Sequence, residues 1–223
     1  MKKFLLIMGL LALLLAAGIE FKSYMSEGKT EKDVPEATVE IAEVDTISAE
    51  NSNHLAFKGV PIDGTLSNYV LKMKRAGFTP VEISDESAVL TGDFAGFKNC
   101  LVTVSVLKAT NLVNSISVAF PGRESWSLLE NDYTNLKTML TEKYGRPSKC
   151  VEKFESGPLQ PQSDMERFTM LQLNECKWFT TYTTPKGTIR LSLENRERNR
   201  FVQLQYSDGI NTKVIEKEAI KDL

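Results

Sequence analysis

Three cysteines, Cys100, Cys150 and Cys176, and one histidine, His54, are the residues of this 223-residue chain best suited to nucleophilic chemistry. The reactive form of cysteine is the thiolate, and a neighbouring base or cation is what generates it near neutral pH. His54 is the one imidazole available, and it stands at the edge of an acidic stretch, far along the chain from every cysteine. A general base has to be held rigidly beside its partner, so neither a Cys–His nor a Ser–His mechanism is indicated. In an oxidising compartment the same cysteines have another use. Cys150 opens one expected strand and Cys176 lies in the next. Neighbouring antiparallel strands can bring such side chains within bonding distance, so a Cys150–Cys176 disulfide is expected. Cys100 is then the odd thiol and reads as a small buried apolar residue.

Carboxylates offer a second chemistry. Glu130 with Asp132, and Glu216 with Glu218, are paired at a spacing of two. On a helix that spacing points them apart, and they read as solvated charges. No nucleophile elbow, phosphate loop, calcium loop or zinc spacing occurs. No catalytic residue, metal ligand or cofactor is therefore assigned. Glycosidase carboxylates carry no sequence motif, which leaves a carboxylate-dependent extracytoplasmic hydrolase as an alternative.

The elements that would position any site begin after an N-terminal leader. Lys2 and Lys3 precede an uncharged apolar run from Phe4 to Ala17, closed by the small residues Ala16, Ala17 and Gly18. This pattern describes a secretory signal peptide over 1–18, so export to an extracytoplasmic compartment is expected. An uncleaved anchor, tethering a structural envelope protein, is the other reading, although the run is short of the roughly 20 residues that span a bilayer. Residues 19–53 carry nine acids and three lysines and lack a sustained period, so an acidic disordered spacer is expected. From His54 onward the chain is close to neutral, and nothing in it forms the basic stripe that nucleic acid requires.

Two helices are legible. Leu66, Tyr69, Val70 and Met73 form one face behind the cap Thr65, and Gly77 ends the run. Trp126, Leu129, Tyr133, Leu136, Leu140 and Tyr144 form a longer stripe over 124–144, ended by Gly145 and Pro147. Period-two strands follow each helix: 102–106 and 116–120, then 189–193 and 202–206, with further strands near 80–84, 87–94, 149–155 and 168–183. The order repeats, with offsets of 86 to 87 residues between matching strands. The reading is α+β, with a first unit over 54–122 and a second over 123–223. Each unit has one helix and a four-stranded antiparallel sheet. The second unit carries an inserted proline-bearing loop over 156–167, and a C-terminal helix from Thr212 to Asp222 is capped by Asn211.

Period two leaves one face of each sheet wet. Thr103, Ser105, Ser117, Arg190, Ser192, Gln203 and Gln205 would form that floor, with Phe201 beside Gln203 as an exposed aromatic. One of Trp178 and Phe179 joins them, according to register.

Phe57-Lys58-Gly59-Val60-Pro61-Ile62-Asp63-Gly64-Thr65-Leu66, Gly92-Asp93-Phe94-Ala95-Gly96 and Leu140-Thr141-Glu142-Lys143-Tyr144-Gly145 resemble stretches in exported proteins of Gram-negative gut bacteria for which no activity is established. In layout the chain resembles the tandem secreted β-lactamase inhibitor proteins. That resemblance implies an exported binding module, and the likeness to Gram-negative proteins implies the periplasm or cell envelope. With the repeat layout, the export signal and the absence of catalytic motifs, the expectation is a non-enzymatic module whose floor and inserted loop from Ser156 to Asp164 hold an extracytoplasmic protein or other envelope ligand.

Overall fold

Alternation of apolar and polar residues dictates most of the architecture. In the computed structural model, residues 52–107, 110–155, 157, 160–197 and 199–213 are described. The expected signal peptide, nearly all of the spacer and the C-terminal helix beyond 213 lie outside them. The chain opens with a hairpin, β1 (Ala56–Phe57) and β2 (Val60–Pro61), turning through Lys58 and Gly59, both at positive φ. Helix α1 (Leu66–Arg75) follows, then β3 (Thr79–Ile83), β4 (Ser87–Phe94), β5 (Phe97–Val106) and β6 (Val113–Ala119). Helix α2 (Trp126–Tyr144) leads to β7 (Lys149–Phe154), helix α3 (Asp164–Gln172), β8 (Cys176–Thr184), β9 (Gly187–Arg196) and β10 (Asn199–Asp208). Strands β3 to β10 form one antiparallel sheet of eight in the order β3-β4-β5-β6-β10-β9-β8-β7. The strands form one continuous sheet where two separate four-stranded sheets were expected, because β6 and β10 pair with each other.

Both long helices start and stop as their sequences dictate. The Thr65 hydroxyl accepts from the Asn68 amide, and α1 buries Leu66, Tyr69, Val70 and Met73. Ser125 caps α2 in the same way, and α2 buries Trp126, Leu129, Tyr133, Leu136 and Leu140. Gly77 and Gly145 follow at positive φ, where a side chain would be strained. Helix α1 lies against β3, β4 and β5, and α2 against β8, β9 and β10. Beneath them run two continuous apolar rows. One is Leu90–Val102–Val118–Leu204–Leu191–Thr180, and the other Ala88–Val104–Ile116–Tyr206–Ile189–Tyr182. Thr180, the polar member, is buried and bonds the Tyr133 hydroxyl at 2.6 Å, so its hydroxyl is not left unpaired. Each large side chain in these rows contributes about 1.5–3 kcal/mol by burial.

Three further expectations change. Helix α3 takes the last residues of the expected inserted loop and the first of the strand expected near 168–183, and β8 begins only at Cys176. A reciprocal cap drives this: the Ser163 hydroxyl accepts from the Glu166 amide while the Glu166 carboxylate accepts from the Ser163 amide. Secondly, helical residues begin at 209, ahead of the expected Thr212. The cap is Asp208, whose Oδ2 accepts from the amides of Ile210 and Asn211, whereas Asn211 is buried and donates to the carbonyls of Ile62 and Val113. Thirdly, the disulfide does not form. Cys150 stands opposite Thr180 and Cys176 opposite Phe154. Four ladder positions, about 13 Å, separate the two thiols, far beyond bonding reach. All three cysteines are free.

Candidate functional site

The sheet face turned away from both helices is built of three rows that cross from strand to strand. The first is a line of hydroxyls, Ser87–Ser105–Ser115–Ser207–Thr188–Thr183, crossing six strands. Val89–Thr103–Ser117–Gln205–Arg190–Thr181–Lys149 forms the second. The third is Thr91–Leu101–Ala119–Gln203–Ser192–Phe179–Val151. All eight residues singled out from the sequence fall on this side by alternation. Five of them, Thr103, Ser105, Ser117, Gln205 and Arg190, reach solvent. The hydroxyls of Thr103, Ser105 and Ser117 and the amide of Gln205 have no hydrogen-bond partner among the described residues, so their capacity is open to water or to a ligand.

The other three are closed. Phe201 is 5% exposed and not the exposed aromatic anticipated, and Ser192 and Gln203 are 5% and 8% exposed. Their neighbours account for it. Arg196 donates to the Gln203 amide oxygen at 2.6 Å and places its guanidinium 5.7 Å from the Phe201 ring. Ser192 donates to Glu194 at 2.7 Å. The accessible aromatic of the floor is Phe179, with the Arg190 guanidinium carbon 3.7 Å from its centroid and the Lys149 ammonium at 5.6 Å. Trp178, one residue earlier, takes the helix side. Leu101, 47% exposed in the centre of the face, also went unread. Its signal was present, since it precedes Val102 in an alternating strand.

Charge is distributed unevenly over this face. Its β3–β6 half is hydroxyl and aliphatic, whereas the β7–β9 edge adds Lys149, Arg190 and the directly opposed pair Lys153 and Lys177. Glu155 offsets that pair, meeting Lys177 at 2.5 Å and Lys153 at 3.9 Å.

The groups weighed for catalysis are engaged elsewhere. His54 is firmly held, contrary to its expected place at a loose edge. Its Nδ1 lies 3.1 Å from the buried Asp208 carboxylate and its Nε2 3.5 Å from Asp63. Asp208 also accepts from the Leu55 amide at 2.7 Å, which makes it a structural hub. Cys150 lies beside Lys137 and Glu152 on the exposed edge, with Lys137 2.5 Å from Glu152 and 3.4 Å from the thiol. Burial pushes the Glu152 carboxyl up, but its bonds to Lys137 and Cys150 outweigh that and hold it below the usual range. Burial raises the Cys100 thiol and takes Cys176 up to about 12, so both stay protonated at neutral pH. Asp132 pairs with Arg123 at 2.6 Å and Glu130 accepts from the Trp126 indole, so the two acids serve different partners. Glu216 and Glu218 lie outside the described residues. Among the described residues, no three His, Cys, Asp or Glu side chains gather as metal ligands. Among them, too, no helix is long and apolar enough to cross a membrane. Comparison of the chain with protein-family models, with curated proteins and with solved structures finds no match.

Proposed function

We propose that this chain is an exported, non-enzymatic binding module whose open sheet face holds an extracytoplasmic protein partner. The observation that carries this reading is a continuous eight-stranded face that none of the described helices covers, with hydroxyl and amide groups across its centre that have no partner among the described residues. Seven strand spacings by roughly seven residues give about 800 Å², which is close to what one partner contributes to a standard protein interface. Its hydroxyl rows can accept and donate, Leu101 and Phe179 supply apolar contact, and Arg190 supplies an oriented charge.

We also infer that the sheet arose by duplication of one helix-plus-four-strand unit, and the seam between β6 and β10 supports this. Val118 pairs with Leu204, its own counterpart at an offset of 86. On either side, Ile116 pairs with Tyr206, and the Phe120 amide bonds the Val202 carbonyl, as a local twofold axis through the central pair requires. Duplication doubles a half-width floor into one wide enough for a protein, and the likeness to the tandem inhibitor proteins is one of this element order.

Arginine at Thr103 and Ser117 together tests the assignment. Both sites are at solvent but directly opposite each other, so the double variant should lose at most about 1 kcal/mol to like-charge repulsion, a fall of about 0.5 M in the urea midpoint. It should nevertheless lose the partner that co-purifies with the tagged, exported protein, while Lys74→Glu on the outer side of α1 retains it. A double variant that still brings the partner down removes the open face from the binding surface.

A further inference from the structure

A recess lies on the helix side of the sheet, against residues 160–167, and the open-face reading makes no use of it. Its volume is about 330 Å³, at the small end of the range that ligand pockets occupy. Trp178 and Phe154 line it, with Trp126 packed behind them, the three ring centroids lying 4.9 to 5.3 Å apart. Gln160, Pro161 and Gln162 line it as well, and the Glu130 and Arg167 side chains complete the lining.

The wall is built before any ligand arrives. Asp164 accepts from the amides of Trp126 and Ser127 at 3.2 and 2.6 Å, which fastens α3 to the start of α2. Glu166 accepts from the Gln162 amide at 2.7 Å, and Gln160 donates to the Gly157 carbonyl at 3.0 Å. Two polar groups remain unspent. Glu130 uses Oε2 for the Trp126 indole at 3.0 Å, and its Oε1 has no partner among the described residues. The Arg167 guanidinium likewise has no hydrogen-bond or ion-pair partner among them, although the residue is half-buried.

We propose that this recess is a saccharide site for a neutral pyranose with equatorial hydroxyls. A ring of that kind presents an apolar face of axial C–H groups to Trp178 and Phe154 and directs its hydroxyls outward. There the Glu130 carboxylate accepts and the Arg167 guanidinium donates in charge-assisted bonds. One anion and one cation leave the walls without net charge, which favours an uncharged ligand. An organic cation fits less well. The rings pack on one another and do not surround a space, and Arg167 repels positive charge.

The chain's two tryptophans, Trp126 and Trp178, both belong to this recess, so intrinsic fluorescence reports it directly. Titration of the full chain with methyl β-glucopyranoside and with cellobiose should give a saturable change with a Kd of about 1 mM or below. Arg167→Ala should weaken binding at least about tenfold and Glu130→Gln about threefold, as expected from losing hydrogen bonds to charged groups. Both variants should keep the wild-type circular dichroism, because Arg167 has no partner among the described residues and Glu130→Gln keeps a carbonyl oxygen for the Trp126 indole. The proposal fails if fluorescence stays flat to about 50 mM sugar, a range that reaches even very weak sites. It fails equally if Arg167→Ala binds like wild type, or if tetramethylammonium saturates the signal as well as the sugars do.

Discussion

Replacing Asp208 by alanine should cost this protein more stability than any other single polar substitution at the end of β10. The carboxylate is fully buried and accepts four hydrogen bonds, from the amides of Leu55, Ile210 and Asn211 and from the His54 ring. Removing it orphans the buried Leu55 amide, at about 1–3 kcal/mol, and strips the helix beginning at 209 of its cap, at about 1 kcal/mol. His54 also loses one of its two carboxylate partners, at about 1 kcal/mol. The sum is about 3–5 kcal/mol. With a urea dependence of about 2 kcal/mol/M, the unfolding midpoint should fall by about 2 M. Asp208→Asn keeps one carbonyl oxygen but turns an amide group toward amide donors, and should recover about half of the loss. Urea denaturation followed by circular dichroism measures both. A loss below about 1 kcal/mol for Asp208→Ala would refute the view that this carboxylate ties the start of the folded chain to its last strand. It would also reopen the question of what holds His54.

Other consequences are more local. A double-mutant cycle of Phe179→Leu and Arg190→Gln should return a coupling of about 0.5–1 kcal/mol, and a coupling near zero would mean the stacked pair on the open face does not form in solution. Gly187→Ala should destabilise by about 3 kcal/mol or more, since its φ is +146° and a Cβ there would meet the Ser207 carbonyl oxygen of β10. Gly64→Ala, at φ +83° but with open space around it, should cost only about 1–2 kcal/mol. In the native protein only Cys150 should alkylate readily, and without reductant all three cysteines should react after unfolding; a count of one would restore the disulfide. Folded Cys176 holds its proton up to about 12, whereas the unfolded chain releases it from about 9 upward. Stability should therefore be intact below that window and fall through it, with wild type losing about 1.4 kcal/mol per pH unit more than Cys176→Val. Parallel curves for the two proteins would count against a buried thiol.

Much of this architecture was legible because it rests on local signals. Thr65 announced the start of α1, Gly77 and Gly145 the stops of both long helices, and the alternation in 102–106 and 202–206 named the faces of those strands. What failed depended on relations between distant residues. Pairing of Cys150 with Cys176 required a register that alternation does not supply, and the register places Thr180 and Phe154 opposite them. Phe201 alternates onto the open face as expected, but Arg196 and its neighbours close over it. Helix α3 does carry a local signal, since Ser163 and Glu166 spell a capping box directly before Phe168 and Leu171. His54 and Asp208 are 154 residues apart, and no local pattern marks them as partners.

Site-specific photo-crosslinking in the living cell tests the open face most directly. Photoreactive residues at Thr103 and Gln205 sample the face, and the same residue at Lys74 and Glu142 samples the outer sides of α1 and α2. A single defined partner should crosslink from the two face positions and from neither helix position. Adducts from the helix positions alone, with the face silent under the same illumination, would contradict the assignment.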